Sequence, residues 1–207
     1  MTTVGKVIAS VFTLGALGGG GILVNKLLDD TDTIGARLTS EGFSISLNNS
    51  EWETVLGAHN GINNLEGTFK KDANTALKLD ELQEKCKSAL NSKKNNDVNY
   101  KKARQWCVKE QKISDSFEKI NLRALDVTKN TDDTSGWQTN INKLKNDLKT
   151  AQKIKAEMNS TQNITLENIK AGCKAIIEIK TTASDFNDKF ELAKEWCAVV
   201  MPREKVT

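Results

Sequence analysis

The rare residues of this chain occur in two matching sets, which constrains the fold more than any other feature. There are four Trp and four Cys among 207 residues. Residues 100–107 read Tyr-x-x-Ala-x-x-Trp-Cys, and residues 190–197 read Phe-x-x-Ala-x-x-Trp-Cys. The other matched positions are Cys86 with Cys173 and Trp52 with Trp137. Such self-similarity predicts two copies of one structural unit.

The separation between matched positions grows steadily along the chain, from Ile34 and Ile113 to Cys107 and Cys197. A duplication followed by a few insertions in the second copy gives this drift, whereas chance matches would scatter. We therefore predict a first unit over residues 30–110 and a second unit over residues 111–207. Residues 1–29 form a separate N-terminal segment.

Each unit has the pattern of four helices, so the expected fold class is all-α. Gly42 and Asn121 follow the first helix of each unit, at the left-handed position that ends many helices. Ser50 with Glu53, and Ser135 with Gln138, have the spacing of capping boxes for the second helix. That helix carries a stripe with steps of three and four in the second copy: Trp137, Ile141, Leu144, Leu148, Ala151, Ile154 and Met158.

The four cysteines allow three pairings. The midpoint between Cys86 and Cys107 lies in a turn-like Asn-Asn-Asp sequence, and the midpoint between Cys173 and Cys197 lies at Asp185. Residues equidistant from the turn of a helical hairpin lie side by side, as a disulfide requires. We predict Cys86–Cys107 and Cys173–Cys197, with four buried thiols as the alternative. The sequence contains no C-x-x-C spacing, so it does not predict a zinc site.

The remaining candidates for chemistry are few. His59 is the only histidine, and it aligns with Leu144 on the buried stripe, so we interpret it as a partly buried packing residue. Trp106 and Trp196 adjoin the predicted disulfides and are expected to pack there, with exposed recognition aromatics as the alternative. No phosphate-loop, nucleophile-elbow or zinc-protease motif occurs. We expect no catalytic residue, metal site or cofactor.

The charge is balanced, because 30 Lys and Arg are interspersed with 27 Asp and Glu. A net charge of +3 does not predict a nucleic-acid partner. The run of residues 7–24 has no charged residue and is just long enough to span a membrane. We interpret it as a transmembrane or signal-anchor helix that places the C-terminal body outside the cell. The alternatives are a signal peptide cleaved near Ala16-Leu17-Gly18, which would leave a secreted protein, and a buried Gly-rich helix.

These motifs together resemble those of paralogous surface proteins of haemotropic mycoplasmas. The shared pattern is a glycine-rich apolar N-terminus, an I-x-x-x-L-x-x-x-G-F segment, a Trp that opens a long helix, a central Cys and a terminal Y/F-x-x-A-x-x-W-C. The resemblance covers Lys6 to Cys197. It implies a surface-exposed protein with a role in host contact or antigenic variation, and it supplies no catalytic residues.

Our first functional hypothesis is a membrane-anchored, surface-exposed, non-enzymatic protein that binds a host or envelope component. A second is a structural envelope protein that self-associates through its anchor, since Gly18 to Gly21 would let such helices pack closely. A third is a ligand-binding or enzymatic ectodomain. The sequence does not set the oligomeric state.

Overall fold

The structure is a computed structural model that describes residues 32–63, 65–128, 133–146, 148–158 and 165–201. For residues 145, 146 and 148–151 it describes the backbone alone. The described chain is mostly helical, in agreement with the all-α expectation. The predicted anchor, residues 7–24, lies outside the described residues. None of the described helices combines the length and the apolar character needed to cross a membrane.

The described elements follow one another in a simple order. In the first half the helices are α1 (Ile34–Ser40), α2 (Asn49–Gly61), α3 (Leu79–Leu90) and α4 (Asp97–Trp106). Two 3-10 helices (Ile113–Ser116 and Glu118–Ile120) and strand β1 (Leu122–Ala124) open the second half. The remaining elements are α5 (Thr134–Asn146), α6 (Leu148–Glu157), α7 (Leu166–Ile177), α8 (Phe186–Trp196) and β2 (Ala198–Val200).

The first described helix, α1, is fixed at both ends by local chemistry. The Thr33 side chain accepts a hydrogen bond from the Ala36 amide at its N-terminus. Gly42 ends it with φ of +87°, a conformation that glycine adopts without steric cost. The turn lets the Phe43 amide donate to the Leu38 carbonyl at 3.0 Å. The chain then continues in extended form toward α2, as the sequence predicts.

Matching hydrogen bonds recur in the second half. The Ile34 amide donates to the Ser92 carbonyl at 2.9 Å, and the matched Ile113 amide donates to the Ile179 carbonyl at 3.0 Å. Asn121 has φ of +59°, the left-handed conformation expected from its match with Gly42. In both halves, the first segment is therefore attached at the end of the Cys-bearing third helix.

Two local expectations were wrong. The segment after Ile113 forms 3-10 helices rather than an α-helix. Asn48, not Ser50, caps α2: its side chain accepts from the Glu51 amide and Glu51 accepts from the Asn48 amide. Because Asn48 already supplies the capping oxygen, Ser50 lies inside the helix and donates to Asn48 Oδ1.

The second-copy helix also differs from its expected form. Ser135 lies inside the first turn of α5 and does not cap it, and the apolar stripe is divided between α5 and α6. Trp137, Leu144, Ile154 and Met158 are buried and Ile141 is half-buried. The side chains of Leu148 and Ala151 lie outside the described part.

Two short strands link the ends of the second half. β1 pairs with β2 in antiparallel register, with Arg123 opposite Val199. The Leu125 amide donates to the Cys197 carbonyl at 2.9 Å. In the first half the Lys109 amide donates to the Ser44 carbonyl at 2.8 Å, which joins the corresponding segments. Each disulfide-bearing C-terminal end is thus attached to the extended segment of its own half.

Candidate functional site

Two disulfides clamp the last two helices of each half. Cys86 on α3 bonds to Cys107 just after α4, and Cys173 on α7 bonds to Cys197 just after α8. The Cα atoms are 5.2 Å and 5.3 Å apart, within the usual disulfide range. This is the pairing that the hairpin midpoints predict. All four residues are buried, so the bridges belong to the core and not to an accessible redox site.

The two tryptophans beside the bridges are also completely buried. Trp106 and Trp196 each have 0% of their surface exposed. They therefore pack in the core of the native fold, and the alternative of exposed recognition aromatics is wrong. Burial of an indole ring stabilises a fold through its large apolar area. Neither indole ring is accessible to a ligand in this fold.

The same tryptophans differ in how their ring N–H groups are satisfied. Trp106 Nε1 donates to the Gly67 carbonyl at 2.7 Å. Trp196 Nε1 is the one buried side-chain polar atom without a hydrogen-bond partner in the described chain. A buried unpaired donor costs about 1–3 kcal/mol. The two halves therefore share a buried tryptophan position, but only the first half has a loop whose carbonyl accepts from the indole N–H.

The loop between α2 and α3 is specific to the first half. In the second half a further helix, α6, follows α5. In the first half α2 ends at Gly61, and the described residues between there and Leu79 form no helix. A loop of this length inside a compact fold is uncommon and often functional. Its described residues are held by polar contacts with α2 and α4.

His59 is the centre of that network. It is fully buried, and its Nε2 accepts a hydrogen bond from the Phe69 amide at 3.0 Å. Its Nδ1 lies 3.4 Å from Asn60 Oδ1, and its ring contacts Trp106 edge-on at 5.0 Å between ring centres. Burial lowers the pKa of this imidazole. The packing interpretation is supported, and His59 also attaches the loop to α2 through the hydrogen bond from Phe69.

Two further side chains tie down the same loop. Asn60 Oδ1 accepts from the Leu77 amide at 2.9 Å, and Asn60 Nδ2 donates to the Leu77 carbonyl at 2.9 Å. The buried Lys70 ammonium donates to the carbonyls of Asn60 and Ile62. A cation at the carbonyl end of α2 is favourable for the helix dipole.

The loop and α3 enclose a surface groove of about 320 Å³. Phe69 and Leu77 form its apolar part, and Lys71 projects from the loop while Lys85 projects from α3. Two of its carboxylates are committed to neighbouring backbone: Asp72 accepts from the Thr75 amide and Glu81 accepts from the Lys78 amide. Glu84 is the third carboxylate of the lining, so the groove combines an apolar floor with a rim that carries both lysines and carboxylates.

A polar cluster joins the two halves. Arg104 on α4 has 1% of its side chain exposed and donates to Glu191 Oε1 on α8 at 2.7 Å. It also donates to Asn187 Oδ1 at 3.0 Å and lies 4.4 Å from the centre of the Phe190 ring. Tyr100 lies beside it, with Arg104 Nη1 3.4 Å from the Tyr100 hydroxyl. This arrangement orients the halves and leaves the guanidinium inaccessible to a ligand.

No protein-family model, curated protein or solved structure matches the chain. Its function must therefore be inferred from its own geometry. Across the described residues, no three His, Cys, Asp or Glu side chains are arranged to hold a metal ion.

The sequence identified the cysteines, the tryptophans and His59, and the structure brings Trp106, His59 and the Cys86–Cys107 hairpin into one region. The sequence did not identify the groove or the Arg104 cluster. Phe69, Leu77 and Lys71 lie in a segment without periodicity, so no pattern marked them. Arg104 lies at an unassigned position of the motif of residues 100–107, although an arginine three residues before the Cys of a buried helix is an available signal.

Proposed function

We propose that this protein is a membrane-anchored, surface-exposed, non-enzymatic protein that contacts a host or neighbouring envelope component. The observation that carries the proposal is the pair of buried disulfides, which leaves no free cysteine in the described chain. Disulfides of this kind form and persist in oxidising compartments. The apolar run of residues 7–24 supplies the means of attachment.

The proposed body consists of two duplicated helical units behind that anchor. The matched left-handed residues, Gly42 and Asn121, support the duplication. So do the two disulfides, which join corresponding helices. Each unit would bury its own bridge and Trp, and the Arg104–Glu191 contact would hold the units together.

Protease treatment of intact cells tests the location. We expect externally added trypsin to remove the epitopes of residues 30–207 without lysis, since the body carries many exposed lysines. A cytoplasmic protein in the same cells serves as the control and should remain intact. Complete protection of residues 30–207 until lysis would overturn the proposal.

The groove between the loop and α3 is the contact face that we favour. No ion pair is found for Lys71 or Lys85 among the described contacts, and both adjoin the apolar side chains of Phe69 and Leu77. The rim also carries Asp72, Glu81 and Glu84. Recognition of a carboxylate that carries an apolar group would therefore depend on the two lysine ammonium groups and not on the net charge of the groove. Fluorine NMR of the full chain in non-ionic detergent tests this with 4-fluorophenylacetate, and with the neutral 4-fluorophenylacetamide as the matched probe.

We expect line broadening for the acid and little for the amide. Lys85→Glu should weaken binding of the acid by about fivefold or more, as expected for the loss and reversal of an exposed charge. Lys87→Glu, also exposed on α3 but outside the groove, is the matched control and should change it less than about twofold. Equal binding of acid and amide, or equal loss in both variants, would exclude this face while leaving the surface location untouched.

A further inference from the structure

The hydrogen bonds around His59 fix its protonation state. Nε2 accepts from the Phe69 amide, and a ring nitrogen that accepts must be unprotonated. The proton of the neutral ring therefore lies on Nδ1, toward Asn60 Oδ1. A second proton on Nε2 would point at the Phe69 N–H, which is itself a donor. The loop and a charged His59 are thus incompatible in this geometry.

The charged groups that face His59 add to this incompatibility. Lys70 reaches the region from the loop and Lys102 from α4, and both disfavour a positive charge on the ring. The ring also stacks near Phe69 with 6.2 Å between ring centres, and Trp106 closes the α4 side. Burial among these groups denies an imidazolium the water that it would need.

The contacts that would be disturbed are two of those that hold the loop, beside the bond from Trp106 to Gly67 and the bonds of Lys70. Phe69 is attached through its amide to His59, and Leu77 is attached through both backbone groups to the adjacent Asn60. Movement of the ring disturbs both attachments, because His59 and Asn60 are neighbours at the end of α2. His59 holds the loop near its middle, at Phe69, and Asn60 holds it near its end, at Leu77.

We propose that His59 is a pH-sensitive latch: while neutral it holds residues 65–78 of the loop against α2 and α4, and its protonation releases these residues and disrupts the groove. The proposal goes beyond the function suggested above and does not depend on it. The second half supplies an internal contrast, since Leu144 at the matched position cannot titrate.

The direction of the effect follows from the location of the proton. The released loop leaves His59 in water, with an ordinary pKa of about 6.5, whereas the latched ring resists protonation. Acidification below about pH 6.5 therefore favours release, and the opening constant rises by up to about tenfold for each pH unit until the latched ring itself titrates. Above that pH the latch is fully formed.

Two measurements on the full chain in non-ionic detergent test the latch. Nitrogen-detected NMR should find the Nδ1–H tautomer at pH 7.5, in a signal that is unambiguous because the chain has one histidine. Hydrogen exchange, corrected for the intrinsic rate, should show that the Phe69 and Leu77 amides lose at least about tenfold protection between pH 7.5 and pH 5. The Ile113 amide, bonded to the Ile179 carbonyl in the second half, is the internal control and should keep its protection.

His59→Gln is the matched variant, because the amide side chain can accept and donate but does not titrate near neutral pH. In this variant the protection of Phe69 and Leu77 should no longer depend on pH. An imidazole that titrates near 6.5 without any loss of loop protection would overturn the latch, even if the variant fails to fold. Equal acid-induced loss in the wild type and in His59→Gln would do the same.

Discussion

Arg104 and Glu191 connect the two halves of the molecule through a 2.7 Å contact between Nη1 and Oε1. The guanidinium is buried, whereas 56% of the Glu191 side chain is exposed. Partial burial opposes ionisation of Glu191, but the hydrogen bonds from Arg104 and Lys194 outweigh it and lower the pKa of the carboxyl. The contact is therefore a buried cation that reaches a carboxylate at the edge of the interface.

Arg104→Ala should lower the free energy of unfolding by about 2–3 kcal/mol. The variant removes hydrogen bonds to Glu191 and Asn187 and the packing over Phe190. Lys194→Ala, at the matched position of the second half, is the control, because 37% of its side chain is exposed. It should change stability by less than about 0.5 kcal/mol. Urea unfolding in detergent measures both, and equal effects would contradict this role for Arg104.

The tryptophan N–H groups predict unequal effects of one substitution. Trp106→Phe deletes the donor to Gly67, whereas Trp196→Phe deletes a buried donor that has no partner. Both remove similar volume, so the first should destabilise by about 1–3 kcal/mol more than the second. Trp137→Phe, which loses a bond to the Asp126 carbonyl, should resemble the first. Urea unfolding of the three variants decides the order, and a larger loss for Trp196→Phe would refute it.

The two disulfides should stabilise the fold to a similar extent. They join residues separated by 21 and 24 positions, and chain entropy alone gives about 3 kcal/mol for loops of this size. One double variant replaces Cys86 and Cys107 by Ala, and a second replaces Cys173 and Cys197 by Ala. Each should lower the free energy of unfolding by about 3 kcal/mol. Non-reducing peptide mapping provides the control, since each double variant should retain the other bridge. Free, alkylatable thiols at all four positions of the wild type would exclude the pairing.

Gly42 should be intolerant of a side chain, unlike Gly57. At Gly42 the backbone has positive φ, and a Cβ atom would lie 2.9 Å from the Lys119 Cβ atom. Gly42→Ala should therefore destabilise by about 1–2 kcal/mol. Gly57 lies inside α2 with open space where a Cβ would project, so Gly57→Ala should stabilise by about 0.5–1 kcal/mol. Thermal unfolding of both variants measures this difference, and two effects of the same sign would contradict it.

Features that repeat locally were predictable from the sequence. The stripe containing Leu82, Cys86 and Leu90 marks one buried helix face, and its counterpart in the second half is buried too. The turn between α3 and α4 lies near the midpoint of its cysteines, so the pairing followed from helix spacing. The capping residue of α2 was missed because Asn48 and Ser50 are both good caps, and only the backbone path chooses between them.

The candidate site was mostly beyond the reach of the sequence. His59 was noticed because it is unique, but its contact with Phe69 joins two segments that no periodicity relates. The groove depends on the loop passing over α3, and loops carry little pattern that would fix their path. Arg104 occupies the helix face turned toward α8, which depends on how the two halves pack.

The amino-acid pattern alone was enough to predict the helical class, the buried helix faces and the pairing of the cysteines, because helix spacing places residues three or four positions apart on one side. The packing of distant segments was needed to show that Arg104 contacts Glu191, that Trp196 lacks the hydrogen-bond partner that Trp106 has, and that His59 accepts from the Phe69 amide. These depend on the approach of distant segments, which is set by the packing of the whole chain and not by its local pattern.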